Sequence, residues 1–223
     1  MSPTGTPSTL RQALQFPDGF IREIVDLIAD VWASIVFPKV ANTEVPMTNL
    51  LHEKLIEEYA IRGLPWHISL EQPEVDTATG SAPGRTDIRF FHRDIKGQRV
   101  FFVVEAKRLN IVNGNKTTSN ATAYVDEGMF RFVNGHYSKH LPSGAMLGYV
   151  MDGHILSARG KVNGKIKQQS ANLLCVNNPV IVDCPETVPT NFGSLTRHNR
   201  VPVHGGSFTI YHLFLAVEAK HFN

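Results

Sequence analysis

The sequence predicts an α/β domain in which a mixed central β-sheet is flanked by helices. Amphipathic helical periods run through the first quarter of the chain, two apolar β-rich segments follow, and helical and strand-like segments then alternate. At 223 residues with 42% hydrophobic content, the chain can bury one sizeable core. We therefore expect a single domain over residues 18–223, preceded by a flexible N-terminus over residues 1–17.

Charge and cysteine content narrow the classes of function. Lys and Arg total 22 against 20 Asp and Glu, so the net charge neither demands nor excludes a polyanionic partner. Cys175 and Cys184 suggest no disulfide framework and no CxxC motif. No secretory signal or membrane-spanning apolar run is recognisable. These features predict a soluble cytoplasmic protein.

Two helices are predicted first. From Asp18, apolar residues recur every three to four positions through DGFIREIVDLIADVWASIVF, and Pro38 marks the end of that pattern. A second helix is predicted within NTEVPMTNLLHEKLIEEYAIRG, where Pro46 suits the first turn and Gly63 can cap the end.

The spacing of the apolar residues then changes from helical to the alternation typical of strands. GRTDIRFFH and RVFFVVEAKRL predict a hairpin across the turn RDIKGQ, and a long polar loop, NIVNGNKTTSN, follows. ATAYVDEGMFRFVNG has helical spacing, whereas GAMLGYVMDG and GSFTIYHLFLAVE are typical of buried strands. HILSARGKVNGKIKQQS fits a helix better, although Asn163-Gly164 could instead form a hairpin turn.

The second strand of the hairpin ends in an unusual charged pair. Alternation places Glu105 and Lys107 on one face, in line with Phe101 and Val103, while the opposite face is also apolar. A strand that is apolar on both faces is expected at the centre of a sheet, where unpaired charge is costly. Asp87 lies in the preceding strand, and a suitable hairpin register would bring its carboxylate near Glu105.

Two adjacent carboxylates repel each other unless a cation holds them, and carboxylate oxygens suit Mg²⁺, for which Mn²⁺ can substitute. An ammonium group beside them can orient or activate water and offset charge on a phosphorane-like transition state. The residues therefore predict metal-assisted phosphodiester hydrolysis. The alternative is a structural ion pair on neighbouring strands.

The ordered set Thr86-Asp87, an 18-residue step, and Glu105-Ala106-Lys107 resembles the PD-(D/E)XK nuclease superfamily, which has the restriction-endonuclease-like fold. The resemblance covers roughly residues 44–148 and includes the strand pattern and the element order. Threonine stands where the superfamily usually has proline. The resemblance implies Asp87 and Glu105 as metal ligands, the Ala106 carbonyl as an additional ligand, and Lys107 as the residue that positions or activates water.

Members of this superfamily often add a glutamate from the helix before the first strand. The successive spacings from Glu44 to Thr48, Leu51 and Leu55 are four, three and four residues. Glu44 therefore shares the helix face that must pack inward. Glu53 lies about 200° around the helix from Leu51 and should face solvent. We expect Glu44 to be the helical acid, with Glu53 as the alternative. An acid at a helix start also stabilises the helix dipole.

Several basic residues are candidates for nucleic-acid contacts. Arg131, in the helix after the E-x-K strand, is the expected phosphate contact, whereas its neighbours are expected to be core or solvated residues. The most basic stretch of the chain could meet a nucleic-acid backbone or form a solvated face, and consists of Arg159, Lys161, Lys165 and Lys167.

The sequence thus predicts a Mg²⁺-dependent endonuclease with DNA as the expected substrate. A homodimer would suit double-strand cleavage, a protein partner could supply targeting, and restriction or antiviral defence would suit such an enzyme. One alternative is a non-catalytic nucleic-acid-binding module. Another is a nuclease-like subunit of a larger complex, recruited through an apolar surface such as one on the helix at 21–35.

Overall fold

A seven-stranded mixed β-sheet with helices on both faces forms the core of the protein, which confirms the predicted fold class. The structure is a computed structural model that describes residues 18–38, 43–74, 84–93, 100–176, 180–184, 193–200, 206–218 and 221. The predicted flexible segment 1–17 and most of the predicted turn before the E-x-K strand lie outside these residues.

The helices and strands follow the predicted order with additions. The helices are α1 (Asp18–Ser34), α2 (Glu44–Arg62), α3 (Ala121–Ala123), α4 (Phe130–Val133) and α5 (Ile155–Gln168). A π-helical segment (Tyr124–Met129) joins α3 to α4. The strands are β1 (Trp66–Glu74), β2 (Gly84–His92), β3 (Phe101–Leu109), β4 (Ile111–Asn113), β5 (Lys116–Thr118), β6 (Ser143–Val150), β7 (Ile181–Asp183), β8 (Gly193–Asn199) and β9 (Ser207–Ala216).

The strand order is β1-β2-β3-β6-β9-β8-β7. A parallel centre of β3, β6 and β9 lies between two antiparallel wings. β3 is therefore central, as predicted. Its face carrying Phe102, Val104 and Ala106 joins the core under α1 and α2, whereas Val103 joins the core under the π-helical segment, α4 and α5. Both sides of the E-x-K strand are thus covered by helices.

Both predicted N-terminal helices are confirmed. α2 ends at Gly63 in a left-handed conformation with φ of 64°. The apolar positions that define the α1 pattern are all buried, namely Ile21, Ile24, Val25, Ile28, Val31, Trp32 and Ile35. The apolar face proposed for partner recruitment therefore packs against the sheet, so that part of the subunit hypothesis is wrong. None of the helices in the described ranges has the length and apolar character needed to span a membrane.

The structure contains strands that the sequence pattern did not predict. β1, β7 and β8 were missed, and the stretch expected to be a loop after β3 contains the short β4–β5 hairpin around Gly114. The ambiguous segment is the helix α5, as favoured, with Val162 and Ile166 buried. The helix predicted after β3 is present, but six of its residues are π-helical. Such segments are frequent at functional sites.

Candidate active site

β2 and β3 diverge at the position of the paired carboxylates. Their antiparallel register ends at Ile88 and Val104, and one further step would place Asp87 opposite Glu105. Before this point β2 pairs with β1, while β3 continues along β6. The predicted antiparallel pairing of the two strands is confirmed, its register is in line with Asp87 facing Glu105, and the two acids lie where the sheet forks.

Backbone distortion accompanies the fork. In the β1–β2 register, Glu71 is the residue that corresponds to Asp87, and it has φ of 46°. This left-handed conformation is uncommon for a residue other than glycine. The regular ladder is therefore interrupted on the β1 side of Asp87 as well as on the β3 side.

Carboxylates replace the missing strand partner at the fork. Ala106 and Arg108 direct their backbone groups to the same edge of β3, because these directions alternate along a strand. The Ala106 amide donates a 2.7 Å hydrogen bond to Asp87 Oδ2, and the Arg108 amide donates a 3.2 Å bond to Glu44 Oε2. Two of the predicted acids thus bind the edge that β2 leaves open.

Lys107 is the most strongly tethered cation of the site. Its Nζ donates to Ala106 O at 2.8 Å, to Glu44 Oε1 at 3.0 Å and to Glu105 Oε1 at 3.1 Å. The side chain is only 10% exposed. Glu53, the alternative helical acid, is 70% exposed beside His52, so the structure places Glu44 and not Glu53 at the site.

Glu105 is a buried carboxylate with one unsatisfied oxygen. Its side chain is 1% exposed, and Oε1 accepts both from Lys107 and from Arg131 Nη1, the latter at 3.2 Å. Oε2 is buried without a hydrogen-bond partner in the described part of the chain. An orphaned carboxylate oxygen is costly to bury, which marks a position that a cation could occupy.

The electrostatics of the site agree with this geometry. Burial raises the pKa of Glu105 to about 7. Repulsion from Asp87 also raises this pKa, whereas the positive charges of Lys107 and Arg131 lower it. Burial also raises the pKa of Asp87, although the Ala106 amide opposes that change. Burial alone would lower the pKa of Lys107, but attraction to Glu105 and the other carboxylates raises it above its ordinary value. Lys107 is accordingly a protonated donor.

Arg131 and Tyr137 close a ring of contacts around the fork. Arg131 Nη1 donates to the Tyr137 hydroxyl at 2.7 Å, and that hydroxyl donates to the Arg85 carbonyl of β2 at 2.5 Å. The ring therefore connects Glu105 on β3, through α4, to the strand that carries Asp87. Tyr137 was not predicted, because it follows the helix in a turn with no motif or period.

A buried arginine fixes the turn that carries Tyr137. Arg200 is 2% exposed and donates to the carbonyls of Phe132 at 3.0 Å, Ser138 at 3.2 Å and Leu141 at 2.7 Å. Its guanidinium also lies 3.9 Å from the centre of the Phe208 ring. The end of β8 thus orders the turn on both sides of Tyr137.

The other basic residues that were predicted to contact nucleic acid lie outside this ring of contacts. In α5, Arg159 pairs with Asp183, Lys165 lies 3.4 Å from Asp126, and Lys161 donates to Asn110 at 3.0 Å. Three of the four side chains are thus engaged within the protein, with Arg159 only 16% and Lys165 only 18% exposed, and a contact with nucleic acid stays a prediction. Lys167 is exposed.

The oxygen atoms at the fork form a small donor set for a divalent cation. In the ranges that the structure covers, no group of three His, Cys, Asp or Glu side chains is arranged to hold a metal ion. The candidate set is smaller: Asp87, Glu105 with its orphaned oxygen, and the carbonyl of Ala106. Hard oxygen donors with like-charge repulsion between them fit Mg²⁺ or Mn²⁺, with water and substrate completing the shell.

Comparisons with known proteins gave no relative: no family model, curated protein or solved structure matches the chain.

Proposed function

We propose that the chain is a divalent-metal-dependent endonuclease of the PD-(D/E)XK type, with a restriction-endonuclease-like fold and DNA as its substrate. One observation carries this proposal. Asp87 and the half-unsatisfied carboxylate of Glu105 converge with Lys107 at a fork in the sheet. A structural ion pair would explain the charges but not an orphaned buried oxygen.

Asp87, Glu105 and the Ala106 carbonyl would hold the cation. Mg²⁺ or Mn²⁺ would supply Lewis-acid stabilisation of the charge that develops on the phosphate. The bond from the Ala106 amide orients Asp87 before any ligand arrives, because it fixes Oδ2 at the strand edge. A preorganised carboxylate needs little rearrangement to act as a ligand.

Lys107 would orient the attacking water and stabilise the pentavalent transition state. Its raised pKa keeps it protonated at neutral pH, and its three N–H groups already donate to Ala106 O, Glu44 Oε1 and Glu105 Oε1, so in this arrangement it acts through its positive charge rather than by accepting a proton. Glu44 accepts from Lys107 Nζ and from the Arg108 amide, and so would fix the direction of the ammonium group. Glu44 is therefore a positioning residue in this proposal.

The biological setting is proposed by analogy with the resemblance. A small cytoplasmic nuclease would suit restriction or antiviral defence, and a homodimer would place two such sites on a duplex.

The test is cleavage of supercoiled plasmid, linear duplex, single-stranded DNA and RNA in Mg²⁺, Mn²⁺ or EDTA. Purified wild type is compared with Lys107→Ala, Asp87→Asn and the control Arg22→Gln, which removes an exposed charge from α1. We expect metal-dependent cleavage of DNA by the wild type and the control. Loss of a transition-state donor or a metal ligand should lower the rate about 10²- to 10³-fold.

Two results would contradict the proposal. Cleavage that persists in both site variants would show that the reaction occurs elsewhere or comes from a contaminant. Metal-independent nucleic-acid binding without cleavage would favour the non-catalytic binding module instead.

A further inference from the structure

Glu105 Oε1 accepts from two cations that are held with unequal firmness. Lys107 is 10% exposed and has two further oxygen acceptors beside Glu105. Arg131 is 43% exposed, and its second acceptor is the Tyr137 hydroxyl. The distances to Oε1 are nearly equal, 3.1 Å and 3.2 Å, so the difference lies in burial and tethering.

A divalent ion bound between Asp87 and Glu105 would be repelled by both of these positive charges. Lys107 cannot withdraw without abandoning three oxygens in a buried position, which would leave a costly unpaired charge. Arg131 can rotate into solvent on a long, half-exposed side chain at a much smaller cost. Arg131 is therefore the cation that would leave Glu105 when a divalent ion binds.

On this basis, and resting on the proposed metal-dependent function, we propose that Arg131 is a resident counter-cation that a divalent metal ion displaces from Glu105. Tyr137 determines how firmly Arg131 is held. Its hydroxyl proton is directed to the Arg85 carbonyl, which leaves a lone pair for the guanidinium.

Displacement would give Arg131 a second role in the same reaction. The released guanidinium lies at the rim of the fork, and its planar set of donors matches a phosphate group. Metal binding would release Arg131 for a phosphate group, and phosphate binding would draw Arg131 away from Glu105. Each ligand would therefore favour binding of the other. Arg131 would thus neutralise Glu105 in the resting protein and contact substrate in the loaded one.

Calorimetric titration with Mn²⁺ alone, without nucleic acid, tests this proposal on the full chain. Arg131→Gln should bind Mn²⁺ about tenfold more tightly than the wild type, because a competing charge is gone. Tyr137→Phe keeps the ring in the core and should tighten binding by about threefold. Arg22→Gln, which removes an exposed charge on α1, should leave the affinity unchanged.

The outcomes separate this inference from the nuclease proposal. Unchanged or weaker Mn²⁺ binding by a folded Arg131→Gln variant would overturn the displacement, whereas the nuclease proposal would stand if the wild type still binds Mn²⁺. Absence of Mn²⁺ binding in the wild type and all variants would overturn both. If Arg131→Gln does not fold, Tyr137→Phe decides: tighter binding supports displacement, and unchanged binding contradicts it.

Discussion

Asp87 Oδ2 accepts a 2.7 Å hydrogen bond from the Ala106 amide, at the point where β2 has separated from β3, and so takes the place of a backbone acceptor on a neighbouring strand. One carboxylate therefore serves the backbone and, in the proposed function, a cation. The two roles differ in what they require. The amide needs only an oxygen acceptor, whereas the cation needs a negative charge.

Substitutions at Asp87 should separate these roles. Asp87→Ala leaves the Ala106 amide without its acceptor and should lower the free energy of unfolding by about 1–2 kcal/mol. Asp87→Asn retains an acceptor oxygen and removes a partly buried charge, so in EDTA it should be at least as stable as the wild type. Urea unfolding measures both. Equal destabilisation of the two variants would show that charge, not hydrogen bonding, maintains this contact.

Glu44 and Glu53 provide a matched pair on one helix. Glu44→Gln weakens the contact that directs Lys107 and should lower the cleavage rate about 10- to 100-fold, as loss of an outer-shell partner typically does. Glu53→Gln changes the same chemical group at a site that is 70% exposed, and should cleave like the wild type. Cleavage rates at saturating DNA measure the difference. Equal rates for the two variants would remove Glu44 from the proposed mechanism.

The protonation of Glu105 should appear in the pH dependence of stability. Its pKa rises from an ordinary 4.5 to about 7 in the folded protein, mainly through burial. The folded state therefore binds the extra proton, and the cost of the buried charge is absent below about pH 4.5 and complete above about pH 7. Glu105→Gln resembles the protonated form and avoids this cost.

In EDTA, the free energy of unfolding of Glu105→Gln relative to the wild type should increase on the order of 2 kcal/mol between pH 5 and pH 8. Denaturant unfolding at intervals of one pH unit measures this difference. A difference that stays constant with pH would show that Glu105 is already ionised throughout this range in the folded protein.

Arg200 should matter for stability and for the orientation of Tyr137. Lysine at this position keeps the charge but cannot reach the carbonyls of Phe132, Ser138 and Leu141 together, so Arg200→Lys should lower the free energy of unfolding by about 2–4 kcal/mol. Thermal and urea unfolding measure this loss. A variant as stable as the wild type would mean that the turn is ordered by its own contacts.

The candidate site was largely predictable because its chemistry is concentrated in one hairpin. Asp87, Glu105 and Lys107 lie within 21 residues on two strands, so the strand period fixes the shared face of Glu105 and Lys107, and the hairpin register brings Asp87 to them. Glu44 followed from helical spacing. Tyr137 did not, because its hydroxyl reaches the fork from a turn whose position depends on Arg200, far along the chain.

The strand β8 was missed because its buried residues are mostly polar. In β8 the face formed by Ser194, Thr196 and His198 is buried but polar, and the other face places buried Leu195 beside exposed Arg197 and Asn199, so no apolar period reveals the strand. Thr196 lies within hydrogen-bond distance of His198 and His212, and this pairing across strands satisfies groups that look solvent-exposed in the sequence. Only the tertiary structure shows that these polar residues are internal.

The fork also gives the protein an internal spectroscopic probe. In an unbroken sheet the Ala106 amide proton would be bonded to a neighbouring carbonyl, whose charge does not change with pH. Here it is bonded to a carboxylate, so its NMR frequency is coupled to the ionisation of Asp87 and to any cation that draws charge from that group. One backbone resonance can therefore report the charge state of the site in the intact chain, with no label at the side chains themselves.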